Sequence, residues 1–123
     1  MPTPGQPEFD WSQAESLLGD EPNNVPEDMA AIVLELVEGA RQRFDELKAL
    51  KPETERTAIS ALAHQLRGSL LNFGFIEVGT HLFDIEKREY PVADYPAMVE
   101  KANTAFVGST KLLAERYPSL HLP

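Results

Sequence analysis

The chain has no cysteine. Disulfides, zinc–thiolate sites and cysteine nucleophiles are excluded together. It also lacks a long apolar run. The longest, Met29 to Leu34, is six residues, against the roughly 18 that a bilayer span requires. Bases are missing from the first third: residues 1–40 hold nine acids and no Lys or Arg, whereas residues 41–123 hold eleven of each. The net charge of −9 therefore sits wholly in that opening third. An acidic chain repels phosphate backbones, so nucleic acid is not expected as a partner, and the acidity is read most simply as a solubility device. Without a base near the start, no signal or transit peptide is expected, and with no membrane segment the expectation is a cytoplasmic protein. No glycine-rich loop of the kind that cradles nucleotide phosphates is present.

What is present describes one ordinary domain. There are 123 residues, 42% hydrophobic and 25% charged, enough for a core without covalent staples. Ten prolines punctuate the sequence. Pro2, Pro4 and Pro7 open a leader over 1–9 that is expected to be disordered, ahead of a single domain over 10–123. Pro22 and Pro26, then Pro52, then Pro91 and Pro96 mark further breaks, and the stretches between them are candidate helices.

Those stretches carry three- and four-residue apolar spacing and almost no alternation. A short helix is expected from about Trp11 to Leu18, capped by Asp10 or Ser12. A second runs from about Pro26 to Leu50, with Met29, Ile32, Val33, Leu36, Val37, Ala40, Phe44 and Leu47 facing inward. A third runs from about Glu53 to Phe73 and ends at Gly74 in a left-handed cap. The fourth is expected from Phe75 to about Glu89, with Val78, Leu82 and Ile85 inward. The fifth runs from about Asp94 to Tyr117, with Met98, Val99, Ala102, Phe106, Ser109 and Leu113 inward. Short connections imply antiparallel neighbours. The expected fold is all-α: an antiparallel up-down four-helix bundle with an additional short N-terminal helix over one end.

The third helix has two informative faces. At about 100° per residue, Ile59, Leu62, Ala63, Leu66, Leu70 and Phe73 form the core stripe. Thr57, Ala61, His64, Gly68, Leu71 and Phe75 fall on or near a second stripe on the outer side. A lone helical histidine is usually unremarkable, but its neighbours change the weighting. Gly68 sits one turn on, where glycine costs about 1 kcal/mol relative to alanine. Close helix packing would explain it only on the core stripe, which lies nearly opposite, so clearance around His64 is the remaining account. Arg67 is three residues from His64, within reach on the helix surface, and could steady an anion attached to the ring; its plainer account is a solvated charge. Leu71 and Phe75 read either as an apolar docking strip or as residues buried under the N-terminal helix. Histidine forms covalent intermediates directly, and near neutral pH a ring nitrogen offers a lone pair without a separate base.

Residues 63–75, Ala-His-Gln-Leu-Arg-Gly-Ser-Leu-Leu-Asn-Phe-Gly-Phe, resemble the signature of histidine-containing phosphotransfer (HPt) domains. The matching positions are His64, Leu66, Arg67, Gly68, Ser69 and Gly74. Leu82 and Glu86 stand where the family commonly has an aliphatic residue and a polar or acidic residue on the neighbouring helix. The resemblance implies a four-helix bundle with no ATP site that accepts a phosphoryl group on one exposed histidine. The group is exchanged with the aspartate of a response-regulator receiver domain, free or within a hybrid histidine kinase. It implies His64 as phosphoacceptor, Arg67 as phosphate-stabilising and Gly68 as clearance, with Ala61, Leu71 and Phe75 meeting the partner. No cofactor is expected on this chain, since Mg²⁺ comes with the receiver, and a monomer is expected. Leu70 and Leu71 depart from the small residues usual after the glycine. Leu70 falls on the core stripe, whereas Leu71 bears on partner choice.

Two other readings compete. The phosphoacceptor hairpin of a sensor histidine kinase shares the His, the aliphatic and the base, but typically has an acid after the histidine and a Thr-Pro or Asn-Pro after the base. Gln65 and Gly68-Ser69 occupy those places here, and no ATP-binding domain follows. A non-catalytic docking module of the same fold is the other. A metal-bundle reading fails because Glu77 and His81 are four apart, without the paired Glu and His sets such bundles use. Phe9, Trp11 and Tyr117 have only core-packing readings. Met1 and the proline-ended tail favour a free-standing protein.

Overall fold

The computed structural model describes residues 7–122. It contains five α-helices, α1 (Trp11–Leu18), α2 (Glu27–Ala49), α3 (Arg56–Leu71), α4 (Ile76–Glu86) and α5 (Tyr95–Arg116), with 3-10 turns at Val92–Asp94 and Pro118–Leu120. No strand occurs among the described residues, and no helix there is long and apolar enough to cross a membrane.

The helix limits have local causes. Asp10 caps α1, its carboxylate accepting the Gln13 N–H at 3.2 Å, and Gly19 at φ +85° ends it. Glu27 and Asp28 open α2 and Lys48 closes it, each matching the sign of the helix dipole. The Tyr95 hydroxyl donates to the Leu47 carbonyl at 2.5 Å, satisfying an acceptor that the end of α2 leaves open. The third helix starts at Arg56 rather than Glu53, because the Thr54 and Glu55 N–H groups both turn back onto the Lys51 carbonyl. The fourth stops at Glu86 rather than Glu89. Arg88 there takes φ +64°, and the Arg56 guanidinium, reaching across from α3, donates to the carbonyls of Arg88 at 2.8 Å and Tyr90 at 3.0 Å.

One core runs through all five helices. Val33, Val37, Phe44 and Leu47 of α2 meet Ile59, Ala63, Leu66 and Leu70 of α3, Val78, Leu82 and Ile85 of α4, and Val99, Phe106 and Leu113 of α5. Each fully buried Leu, Ile or Phe contributes about 1.5–3 kcal/mol of transfer free energy. The α3 helix packs along α4, and α4 along α5, while α2 touches both α3 and α5. Ile32 is a correction to the expected inward stripe: it is 45% exposed. Its neighbours Val33, Leu36 and Val37 take the inward turn of α2, and Ile32 is left at the rim.

The leader is expected over 1–9. Residues 1–6 lie outside the described residues, but 7–9 are held in place. The Glu77 N–H donates to the Glu8 carbonyl at 3.1 Å, and the Asp10 N–H to the Gly74 carbonyl at 2.8 Å. The Phe9 ring packs 4.6 Å from Trp11 and 5.2 Å from Phe75.

Candidate functional site

The core stripe of α3 fixes its rotation, and that rotation decides what the helix shows to water. With Ala63 and Leu66 fully inside, the His64 side chain stands 67% exposed. Gly68, one turn further, has open space around it: a Cβ built there meets nothing within 4 Å. Packing therefore does not require the glycine, which costs the helix about 1 kcal/mol relative to alanine.

The imidazole is exposed but not loose. Its Nδ1 lies 2.5 Å from Glu86 Oε1 on α4. The second carboxylate oxygen, Oε2, accepts from Arg67 Nε at 2.9 Å. Glu86 thus bridges the histidine and the arginine. Burial pushes the Glu86 carboxyl up, but hydrogen bonds from Arg67 and His64 and the charges beside it outweigh burial and hold it below the usual carboxyl range. The carboxylate is ionised and can only accept, so Nδ1 carries the proton. In the neutral imidazole that arrangement leaves the lone pair on Nε2; the hydrogen-bond contacts to the ring, from Glu86 and Arg67, are at Nδ1. Exposed ion pairs of this kind contribute about 1 kcal/mol or less to stability. The geometric consequence is larger, since a second partner that fixes a histidine tautomer also fixes which nitrogen reacts.

Arg67 lies between the two helices. Its Nη2 is 3.5 Å from His64 Nδ1, and its Cζ is 5.1 Å from the centre of the Phe83 ring. With Nε committed to Glu86, the η nitrogens keep donors for an anion arriving at the ring. On the other flank, past Gly68, a groove of about 330 Å³ runs between α2 and α3, edged by Ile32, Leu36, Arg43, Ser69 and Phe73.

The residues expected to meet a partner differ in placement. Ala61 and Leu71 are exposed. Leu71 leans over α4, where a Cβ on Gly79 would fall 2.6 Å from its Cδ2. Phe75 is the correction: it is fully buried, its ring 5.9 Å from Phe106. The reason is how α3 ends. The Phe75 N–H bonds the Leu70 carbonyl and the Gly74 N–H bonds the Leu71 carbonyl, a Schellman arrangement around Gly74 at φ +94°. Helical phase ends there, and the residue after the glycine turns back onto Leu70 inside the core. Phe75 therefore offers nothing to a partner.

Motif position alone points to Glu86, and its bridging role emerges only when α3 and α4 come together. Phe83 and Gly79 carry no signal in the motif, although Phe83 and Lys87 are one helical turn apart. His81 is largely covered and 3.9 Å from Glu77, far along α4 from Glu86. Among the described residues no group of three or more His, Asp or Glu side chains could hold a metal ion. No family model, curated protein or solved structure matches the chain.

Proposed function

We propose that this chain is a histidine phosphocarrier of the phosphotransfer-domain kind, working in the cytoplasm as an antiparallel up-down bundle of α2 to α5 with α1 across one end. It exchanges a phosphoryl group with the aspartate of a receiver domain, either free or part of a hybrid histidine kinase. The observation that carries the reading is the arrangement at His64: Nδ1 held by Glu86, its side chain 67% exposed, and empty space at Gly68 one turn away.

The chemistry follows from that arrangement. The Nε2 lone pair attacks phosphorus of the receiver's aspartyl phosphate, and an N–P bond forms. The P–O bond to the aspartate breaks, and its electrons leave with the carboxylate. Nδ1 keeps its proton, shared with Glu86, so the positive charge that develops on the ring lies against a carboxylate. Arg67 donates to the phosphoryl oxygens. Mg²⁺ arrives with the receiver, and in-line positioning supplies most of the remaining acceleration. The partner approaches over Gly68, with Ala61, Leu71 and the Ile32-edged groove as its landing surface.

The test is incubation with a phosphorylated receiver domain. The reading expects an acid-labile, base-stable label on this chain that disappears in His64→Gln while helical content is unchanged. A label that survives in His64→Gln contradicts the site. A folded wild-type chain that binds receivers yet never takes the label is a docking module instead.

A further inference from the structure

Phe83 is a large apolar side chain on the outside of α4, 46% exposed, three residues before the carboxylate that holds His64. Two cations flank its ring: Arg67 Cζ and Lys87 Nζ each lie 5.1 Å from the ring centre. Lys87 is also paired with Asp84 at 3.2 Å. A solvated surface position gains nothing from a phenyl ring, and the ring adds nothing to the core described above. Both cations against its ring are charged side chains, and one of them, Arg67, shares the Glu86 carboxylate with His64.

We infer that Phe83 is a positioning residue for Arg67. The inference rests on the phosphocarrier reading and extends it. Glu86 ties Arg67 at Nε, and Nη2 has only a long contact, 3.5 Å, to His64 Nδ1, so the guanidinium plane is weakly held by its polar partners. The aromatic face gives the guanidinium a second point of attachment, and it removes water from one side of the cation. Two attachments fix the plane of the group and hold its Nη2 beside the imidazole, 3.5 Å from Nδ1, where a guanidinium donor is within a side chain's reach of an anion carried by the ring. Lys87, gathered on the same ring, keeps a second positive charge close to this flank. The attraction comes from the ring quadrupole rather than from bulk, so an aromatic replacement preserves it and an aliphatic one of similar size does not.

The experiment compares Phe83→Tyr, Phe83→Leu and the wild type, in the parent and in an Arg67→Ala background. Two measurements are made: the Arg67 Nε–H resonance by proton–nitrogen NMR, and the rate of His64 labelling by phosphoramidate, a donor too small to need a docking surface. Phe83→Leu is expected to broaden the Arg67 resonance and to lower the labelling rate about two- to fivefold, the worth of one exposed cation–π pair. Phe83→Tyr restores both, and Phe83→Leu has no further effect without Arg67. Equal behaviour of Phe83→Leu and wild type in both measurements overturns the inference. So does a Phe83→Leu loss that persists in Arg67→Ala. If wild-type His64 takes no label at all, the phosphocarrier reading is what fails, and the Arg67 resonance alone then decides whether Phe83 holds the guanidinium.

Discussion

Gly68 is the residue at which helix stability and the proposed function make opposite demands. A Cβ there meets nothing within 4 Å, and the position lies inside α3 with helical residues on both sides. Gly68→Ala should therefore stabilise the protein by about 1 kcal/mol through helix propensity alone, which for a domain of this size raises the melting temperature by about 3–6 °C. A longer side chain gains much of the same propensity but fills the space one turn from His64. Gly68→Leu is expected to fold at least as well as the wild type and to slow transfer from a phosphorylated receiver on the order of 100-fold, the cost of displacing reacting atoms by about an ångström. Labelling by phosphoramidate, which needs little room, should be nearly unchanged. The assays are circular-dichroism melting and rapid-quench transfer on the same protein preparations. Two results refute the reasoning: a clear loss of stability in Gly68→Ala, which makes the glycine a packing requirement, or wild-type transfer by Gly68→Leu, which makes the empty space irrelevant.

Other substitutions separate orientation from stability. Glu86→Gln removes the charge that bridges His64 and Arg67 and should slow labelling of His64 by roughly 10-fold, while costing about 1 kcal/mol of stability or less. Since the folded carboxyl sits below its ordinary range, its stabilising share is fully present above the unfolded value and is lost as pH falls through the folded one. The stability gap between wild type and Glu86→Gln in urea titrations should accordingly close below roughly pH 4; a gap that widens there contradicts the assigned network. Tyr95→Phe strands the buried Leu47 carbonyl and should cost about 1–3 kcal/mol in the same titrations, without altering transfer. Leu71→Ala should leave phosphoramidate labelling intact and weaken transfer from a receiver, measured by the concentration dependence of the rate.

Much of this was legible in the sequence because helices declare themselves through periodicity. The limits of α1 follow from Asp10 and Gly19, and the core stripe of α3 alone suffices to turn His64 outward. What escaped depends on residues brought together from afar. No pattern within residues 75–89 reveals that Arg56 will lock the turn at Arg88 and Tyr90 and stop α4 early. Ile32 fits the α2 spacing as well as its buried neighbours do, and only the position of α3 leaves it at a rim. Phe75 is different, because its burial was readable. An apolar residue directly after a C-terminal glycine is the usual partner of the last helical turn, whereas extending helical phase through Gly74 puts it on the outer side. The bridge through Glu86 needs the α3–α4 packing, and Phe83 gains meaning only from it.

The most direct measurement is the position of phosphorus on the ring. Phosphorylated protein, labelled with nitrogen-15 in histidine and read by phosphorus–nitrogen correlation, reports which nitrogen carries the group. With Nδ1 occupied by Glu86, the bond should be to Nε2 of His64 and to no other residue. Phosphorus on Nδ1, or on His81 or His121, would contradict the account.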